Sequence, residues 1–100
     1  MKSSILREAE QLTLKVEGEL DALSAPILRP VIDEIVGEQP KLVVCDLSAL
    51  RMVDSSGVGA IVSLYKRLRT AGGNFRLEGL SGQPLAIFKV LKLDRVFQIG

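Results

Sequence analysis

The segment Leu42-Val43-Val44-Cys45-Asp46-Leu47 sets the strongest limit on what this chain can fold into. It is short, apolar except for Asp46, and bracketed by Pro40 and Ser48. Such a run suits a strand buried on both faces, which belongs in the middle of a sheet. Helical patterns flank it on both sides. Upstream, Ile27, Leu28, Val31, Ile32, Ile35 and Val36 recur at helical spacings. Downstream, Val58, Ile61, Val62, Tyr65 and Leu68 form a second apolar stripe, on a helix predicted over 56–70. Strands joined through helices pair in parallel, with right-handed crossovers. The chain therefore reads as α/β: one domain spanning 1–100, with a small mixed sheet and helices mainly on one face.

Local chemistry places the remaining elements. Leu12, Leu14 and Val16 alternate with Thr13, Lys15 and Glu17, which predicts a strand over 11–16 with one solvated face. Residues 4–7 form its partner, and Gly18 ends the run. Ser24 is a candidate N-cap for the first helix. Pro30 lies inside that helix, where proline costs about 3 kcal/mol. This predicts an early, distorted start or a start nearer Leu28. Gly37 and Pro40 close the helix. Residues 48–53 read as a loop. Ala71, Gly72 and Gly73 stop the second helix. Residues 75–80 alternate as a strand. Residues 84–91 form a third helix with Leu85, Phe88 and Leu91 inward, and 96–99 a last edge strand.

Composition excludes several classes. A chain of 100 residues can bury one core without a disulfide or metal staple. A net charge of +1 lacks the basic excess of a nucleic-acid footprint. Lys66, Arg67 and Arg69 cluster late in the second helix, where cations favour the negative end of the dipole. The single cysteine, Cys45, allows no intramolecular disulfide and reads as a buried structural thiol in a reducing compartment. The N-terminal segment MKSSILREAEQ lacks the apolar core of a signal peptide. No apolar stretch approaches the roughly 18 residues that would cross a membrane. A cytoplasmic protein is expected.

Enzyme chemistry finds little to work with. Without histidine, neither a Ser-His-Asp nor a Cys-His site can be built. With one cysteine besides, soft metal sites lack ligands. A nucleophile elbow needs glycine two residues before the serine, and positions 53 and 54 are Val and Asp. No Gly-Lys-Ser/Thr makes a P-loop, and Val62 stands where the third glycine of a dinucleotide fingerprint would be. No catalytic residue, metal or cofactor is expected. Asp21, Asp46 and Asp54 read as turn formers or caps.

Asp54, Ser55 and Ser56 sit between the buried strand and the second helix. A helix start exposes unpaired N–H groups and the positive end of the dipole. One of the three is an N-cap. The same physics admits a phosphoryl group on Ser55, adding roughly −1.5 to −2 charge at pH 7. A helix N-terminus favours an anion by about 0.3–1 kcal/mol, so phosphorylation would leave the fold intact and act on whatever docks there. Met52 and Val53 supply apolar residues in the preceding loop. Gly57 and Gly59 let another backbone approach closely. With Asp21, Asp46 and Asp54 nearby, phospho-Ser55 would create a concentrated negative patch.

The run from Val44-Cys45-Asp46-Leu47-Ser48 to Met52-Val53-Asp54-Ser55-Ser56-Gly57-Val58-Gly59 resembles bacterial anti-sigma factor antagonists, the STAS domains. So do Gly18-Glu19-Leu20-Asp21, Gly72-Gly73-Asn74 and Leu91-Lys92-Leu93-Asp94-Arg95-Val96-Phe97. The resemblance covers nearly the whole chain. It implies that Ser55 is the phosphoacceptor and that Asp21 is the acidic residue beside the phosphoserine loop. It implies a partner that is both anti-sigma factor and serine kinase, of GHKL fold. The unphosphorylated domain would bind this kinase and release its target. Phosphorylation would end binding, and a PP2C-type phosphatase would restore it. ATP and magnesium belong to the kinase. The implied partner surface is Asp21, Met52, Val53, Asp54, Ser55, Ser56, Gly57 and Gly59. Many relatives carry a further C-terminal helix. The competing expectation is a non-switching STAS adaptor of a transporter or other complex, with Ser55 only a cap.

Overall fold

A computed structural model of the chain describes residues 1–97. Two strands open it, β1 (Lys2–Arg7) and β2 (Gln11–Leu20), followed by helix α1 (Ala25–Gly37). Then come β3 (Leu42–Asp46), β4 (Leu50–Val53) and α2 (Ser55–Thr70). The rest is β5 (Asn74–Glu78), α3 (Gly82–Val90) and the single turn α4 (Leu93–Val96). The sheet runs β1-β2-β3-β5, with β4 paired to β2. Among the described residues only β1 is antiparallel to its neighbour; β2–β3, β2–β4 and β3–β5 are parallel.

Register explains the layering. Leu12 lies opposite Val43 and Leu14 opposite Cys45, while Cys45 lies opposite Leu77 on the far side. These side chains share one sheet face. Leu28, Ile32 and Ile35 of α1 and Val58, Ile61, Leu64 and Leu68 of α2 join them in one core. Each fully buried Leu or Ile contributes about 1.5–3 kcal/mol. Thr13, Val44 and Arg76 form a row on the opposite face, as do Lys15, Asp46 and Glu78. Val44 is nevertheless buried, so β3 is the doubly covered central strand that its composition suggested.

Several expectations change. Gly18 does not end β2. It adopts φ +86°, and the register of pairing with β4 shifts between Gly18 and Glu19. Glycine tolerates that backbone, so the strand bends and continues to Leu20. Residues 50–53, expected in a loop, are β4. The continued end of β2 supplies the partner, with Leu20 opposite Val53. Helix α1 starts at Ala25 with a proline in its first two positions and runs through Pro30. The bond lost at Pro30 is that to the Pro26 carbonyl. Burial of Leu28, Ile32 and Ile35 offsets it. Ile27, placed in the buried stripe by its spacing, is exposed, because adjacent Leu28 takes the core. Leu91 caps α3 and is 46% exposed rather than inward. Val96 closes α4, so no edge strand includes it. The rest of that expected strand lies outside the described residues, apart from Phe97, which follows α4.

Candidate functional site

The site is built where β4 hands over to α2. Asp54 is the N-cap of α2, in extended conformation, and its Oδ1 accepts from the Gly57 N–H at 2.9 Å. Its Oδ2 accepts from the Ala22 N–H at 3.1 Å. One carboxylate thus fastens the helix start to the loop that follows β2. The Asp54 N–H in turn donates to the Leu20 carbonyl at 3.2 Å.

Asp21 organises that second loop. Its Oδ1 accepts from the N–H groups of Leu23 and Ser24, both at 3.0 Å. Ser24 does not cap α1 through its side chain. Its Oγ instead accepts from the Asp21 N–H at 2.9 Å and lies 3.1 Å from both the Glu19 carbonyl and Asp21 Oδ1. Hydrogen bonds from Ser24, backbone N–H first and then hydroxyl, hold the Asp21 carboxyl below the usual carboxylate range. Asp21 is therefore an ionised loop-former beside the Asp54 bridge.

Ser55 and Ser56 occupy the first two positions of α2 and are exposed. The first N–H groups of a helix have no partner within it, and the dipole is positive there. Met52, on β4, is 50% exposed, whereas Val53 is buried in the core. The two are strand neighbours pointing to opposite sides, not members of an apolar loop. Gly57 does admit a close backbone, but it is the domain's own. A Cβ there would lie 2.5 Å from the Leu20 carbonyl oxygen and 2.6 Å from Val53 Cγ2. Gly59 is exposed, with nothing within 4 Å of a built Cβ.

Asp46 stands apart from the cluster. Its Oδ1 accepts from the Ser48 N–H at 3.0 Å, which lowers its pKa, and it lies level with Lys15 and Glu78. Two residues that the sequence did not mark as site candidates lie beside Asp21. Leu23 is 86% exposed and Ile27 is 66% exposed, and they line a groove of about 230 Å³ with Met1, Glu19, Asp21 and Ser24. The available signal was two apolar residues around a capped loop that already carried Asp21.

The sequence model of the STAS domain matches residues 4–100. The chain belongs to the STAS domain family. It is 27% identical over 96 residues to an anti-sigma-B factor antagonist of Bacillus subtilis, covering 96% of this chain and 87% of the relative. It is 35% identical over 89 residues to an anti-sigma F factor antagonist of Paenibacillus polymyxa, covering 88% of this chain and 74% of the relative. Its fold matches that of the Bacillus cell fate determinant SpoIIAA in the phosphorylated form, with a TM-score of 0.75 and 21% identity. That match covers 94% of this chain and 86% of the other.

In this STAS domain the start of α2 and the loop after β2 are thus joined by Asp54. Among the described residues, no group of three His, Cys, Asp or Glu could hold a metal ion. No described helix is long and apolar enough to cross a membrane. Cys45 is buried and its thiol is pushed up to about 12, mainly by burial, so it is inert at neutral pH.

Proposed function

We propose that this STAS domain is a phosphorylation-controlled anti-sigma factor antagonist. Unphosphorylated, it binds a serine kinase/anti-sigma factor of GHKL fold and frees that factor's target. Phosphorylation at Ser55 ends binding, and a PP2C-type phosphatase resets the domain. It acts in the cytoplasm as a regulator and not as a catalyst. The names of its relatives support antagonism of an anti-sigma factor.

One observation carries the switch: Ser55 is exposed at the start of α2, while Asp54 is turned away to bond Gly57 and Ala22. The hydroxyl is accessible to a kinase. A phosphoryl group would meet the positive end of the helix and leave the fold intact. It would also add roughly −1.5 to −2 charge next to Asp54 and Asp21. A partner closing over Leu23, Ile27, Met52 and Gly59 would have to desolvate that charge, so it dissociates.

The test compares Ser55→Ala and Ser55→Asp in binding to the purified kinase/anti-sigma factor of the source organism. Ser55→Ala binds and cannot be released by ATP, while Ser55→Asp binds at least about tenfold more weakly. Equal binding by both rejects the switch.

A further inference from the structure

Val53 is the last residue of β4, and both of its backbone polar groups end on one side chain. Its N–H donates to Gln83 Oε1 at 2.9 Å, and Gln83 Nε2 donates to its carbonyl at 2.8 Å. Only this orientation of the amide satisfies both groups, so donor and acceptor are assigned by the contacts themselves. Among the described residues, β4 pairs with β2 alone. At Val53, Gln83 closes the open edge of β4 as a neighbouring strand would, with one donor and one acceptor.

The position of Gln83 is itself fixed. Gly82 before it adopts φ +56°, where a side chain would be strained, and Pro84 after it is buried with a restricted φ. Gln83 is thus presented from the first turn of α3, whose Phe88 is anchored in the core. Only Asp54 separates Val53 from Ser55. Asp54 is held by Leu20, Ala22 and Gly57. Gln83 adds a support one residue earlier, at Val53, from α3.

We infer that Gln83 is a positioning residue for Ser55: it fixes the exit of β4 and so the direction in which the acceptor hydroxyl is presented. This rests on the phosphorylation of Ser55 proposed above. The hydrogen bonds of the Gln83 side chain go to the Val53 backbone and not to Ser55, and Gln83 does not line the groove of Leu23 and Ile27. Its loss should therefore lower the reactive fraction of bound substrate and spare docking.

The experiment uses the full chain as wild type, Gln83→Leu and Gln83→Glu. Leucine removes both hydrogen bonds; glutamate keeps the acceptor and loses the donor. Amide hydrogen exchange at Val53 is followed by NMR, and Ser55 phosphorylation is followed with the kinase/anti-sigma factor of the source organism and ATP. Gln83→Leu should speed Val53 exchange by about tenfold or more while Cys45 exchange stays slow. It should lower kcat by about tenfold with KM within about twofold, and Gln83→Glu should fall between. Unchanged Val53 exchange overturns the clamp, and faster exchange with unchanged kcat overturns the positioning role. If Gln83→Leu does not fold, Gln83→Glu decides by the same two readings. A wild-type chain that the kinase leaves unmodified overturns the phosphorylation of Ser55 instead, and is told apart because Val53 exchange is read without the kinase.

Discussion

The Asp54 carboxylate accepts from the Ala22 N–H at 3.1 Å, across a sequence separation of 32 residues. Its other oxygen caps α2 at Gly57. The start of α2 and the loop after β2 are therefore tied together, and Asp54 is as much a tie as a cap.

Removing that tie should cost more than an ordinary cap. Loss of an Asp N-cap costs about 0.5–2 kcal/mol. Asp54→Ala also loses the solvent-exposed bond to the Ala22 N–H, so its cost should lie in the upper half of that range. Asp54→Asn, with one carbonyl oxygen left, should fall between Asp54→Ala and wild type. Thermal unfolding reads this as about 4–8 °C per kcal/mol for a domain of this size. A melting temperature unchanged in Asp54→Ala would refute the tie.

Two glycines of α2 should respond oppositely to alanine. At Gly57 a Cβ meets backbone oxygen at 2.5 Å, so Gly57→Ala must push α2 off β2, at a cost of at least about 2 kcal/mol. At Gly59 nothing obstructs a Cβ, and alanine gains up to about 1 kcal/mol in helix propensity. Chemical denaturation of the two variants measures both. Equal effects would mean that the contact with Leu20 does not constrain the helix.

Leu23 and Ile27 should matter to binding and hardly at all to folding. Both are mostly exposed, so alanine at either should change stability by no more than about 0.5 kcal/mol. If they form the apolar part of the partner surface, each truncation should weaken anti-sigma factor binding by more than about 1 kcal/mol. Calorimetry on the Leu23→Ala, Ile27→Ala double variant gives the clearest reading. Full affinity would place the partner elsewhere.

Acid should destabilise the domain through identifiable carboxylates. Asp21, Asp46 and Glu38 all have lowered pKa values, from Ser24, from Ser48 and from the Arg7 guanidinium respectively. Each binds fewer protons folded than unfolded, so stability is present above the unfolded pKa of about 4 and is lost as pH falls through the folded values. Unfolding midpoints measured downward from pH 5 should fall, and Asp21→Asn should fall less steeply than wild type. Parallel curves would show that the Asp21 loop bonds do not favour its ionised form.

Much of this fold was legible along the chain, because burial leaves a periodic trace. The 42–47 run announced a covered central strand, and Ile61 and Leu68 announced the inward face of α2. Ile27 and Leu28 were harder to separate. Both are apolar and helical, and only the rotation of α1 against the sheet decides which faces inward. Strand β4 left no trace, because its four residues become a strand only when the bent end of β2 lies beside them. The Asp-Ser-Ser-Gly junction was legible as a helix start, with an N-cap evident in it. Its link to Ala22 was not, since a backbone N–H carries no sequence signature.

Sequence by itself determined the α/β class, the placement of Ser55 at a helix start and the absence of histidine chemistry. These follow from local spacing and residue type. The tertiary structure alone decided that Val53 and Gly57 serve the interior, that Leu23 and Ile27 stand exposed beside Asp21, and that Gln83 holds Val53. Each depends on which segments, distant in sequence, are brought within van der Waals or hydrogen-bond distance, and packing sets that.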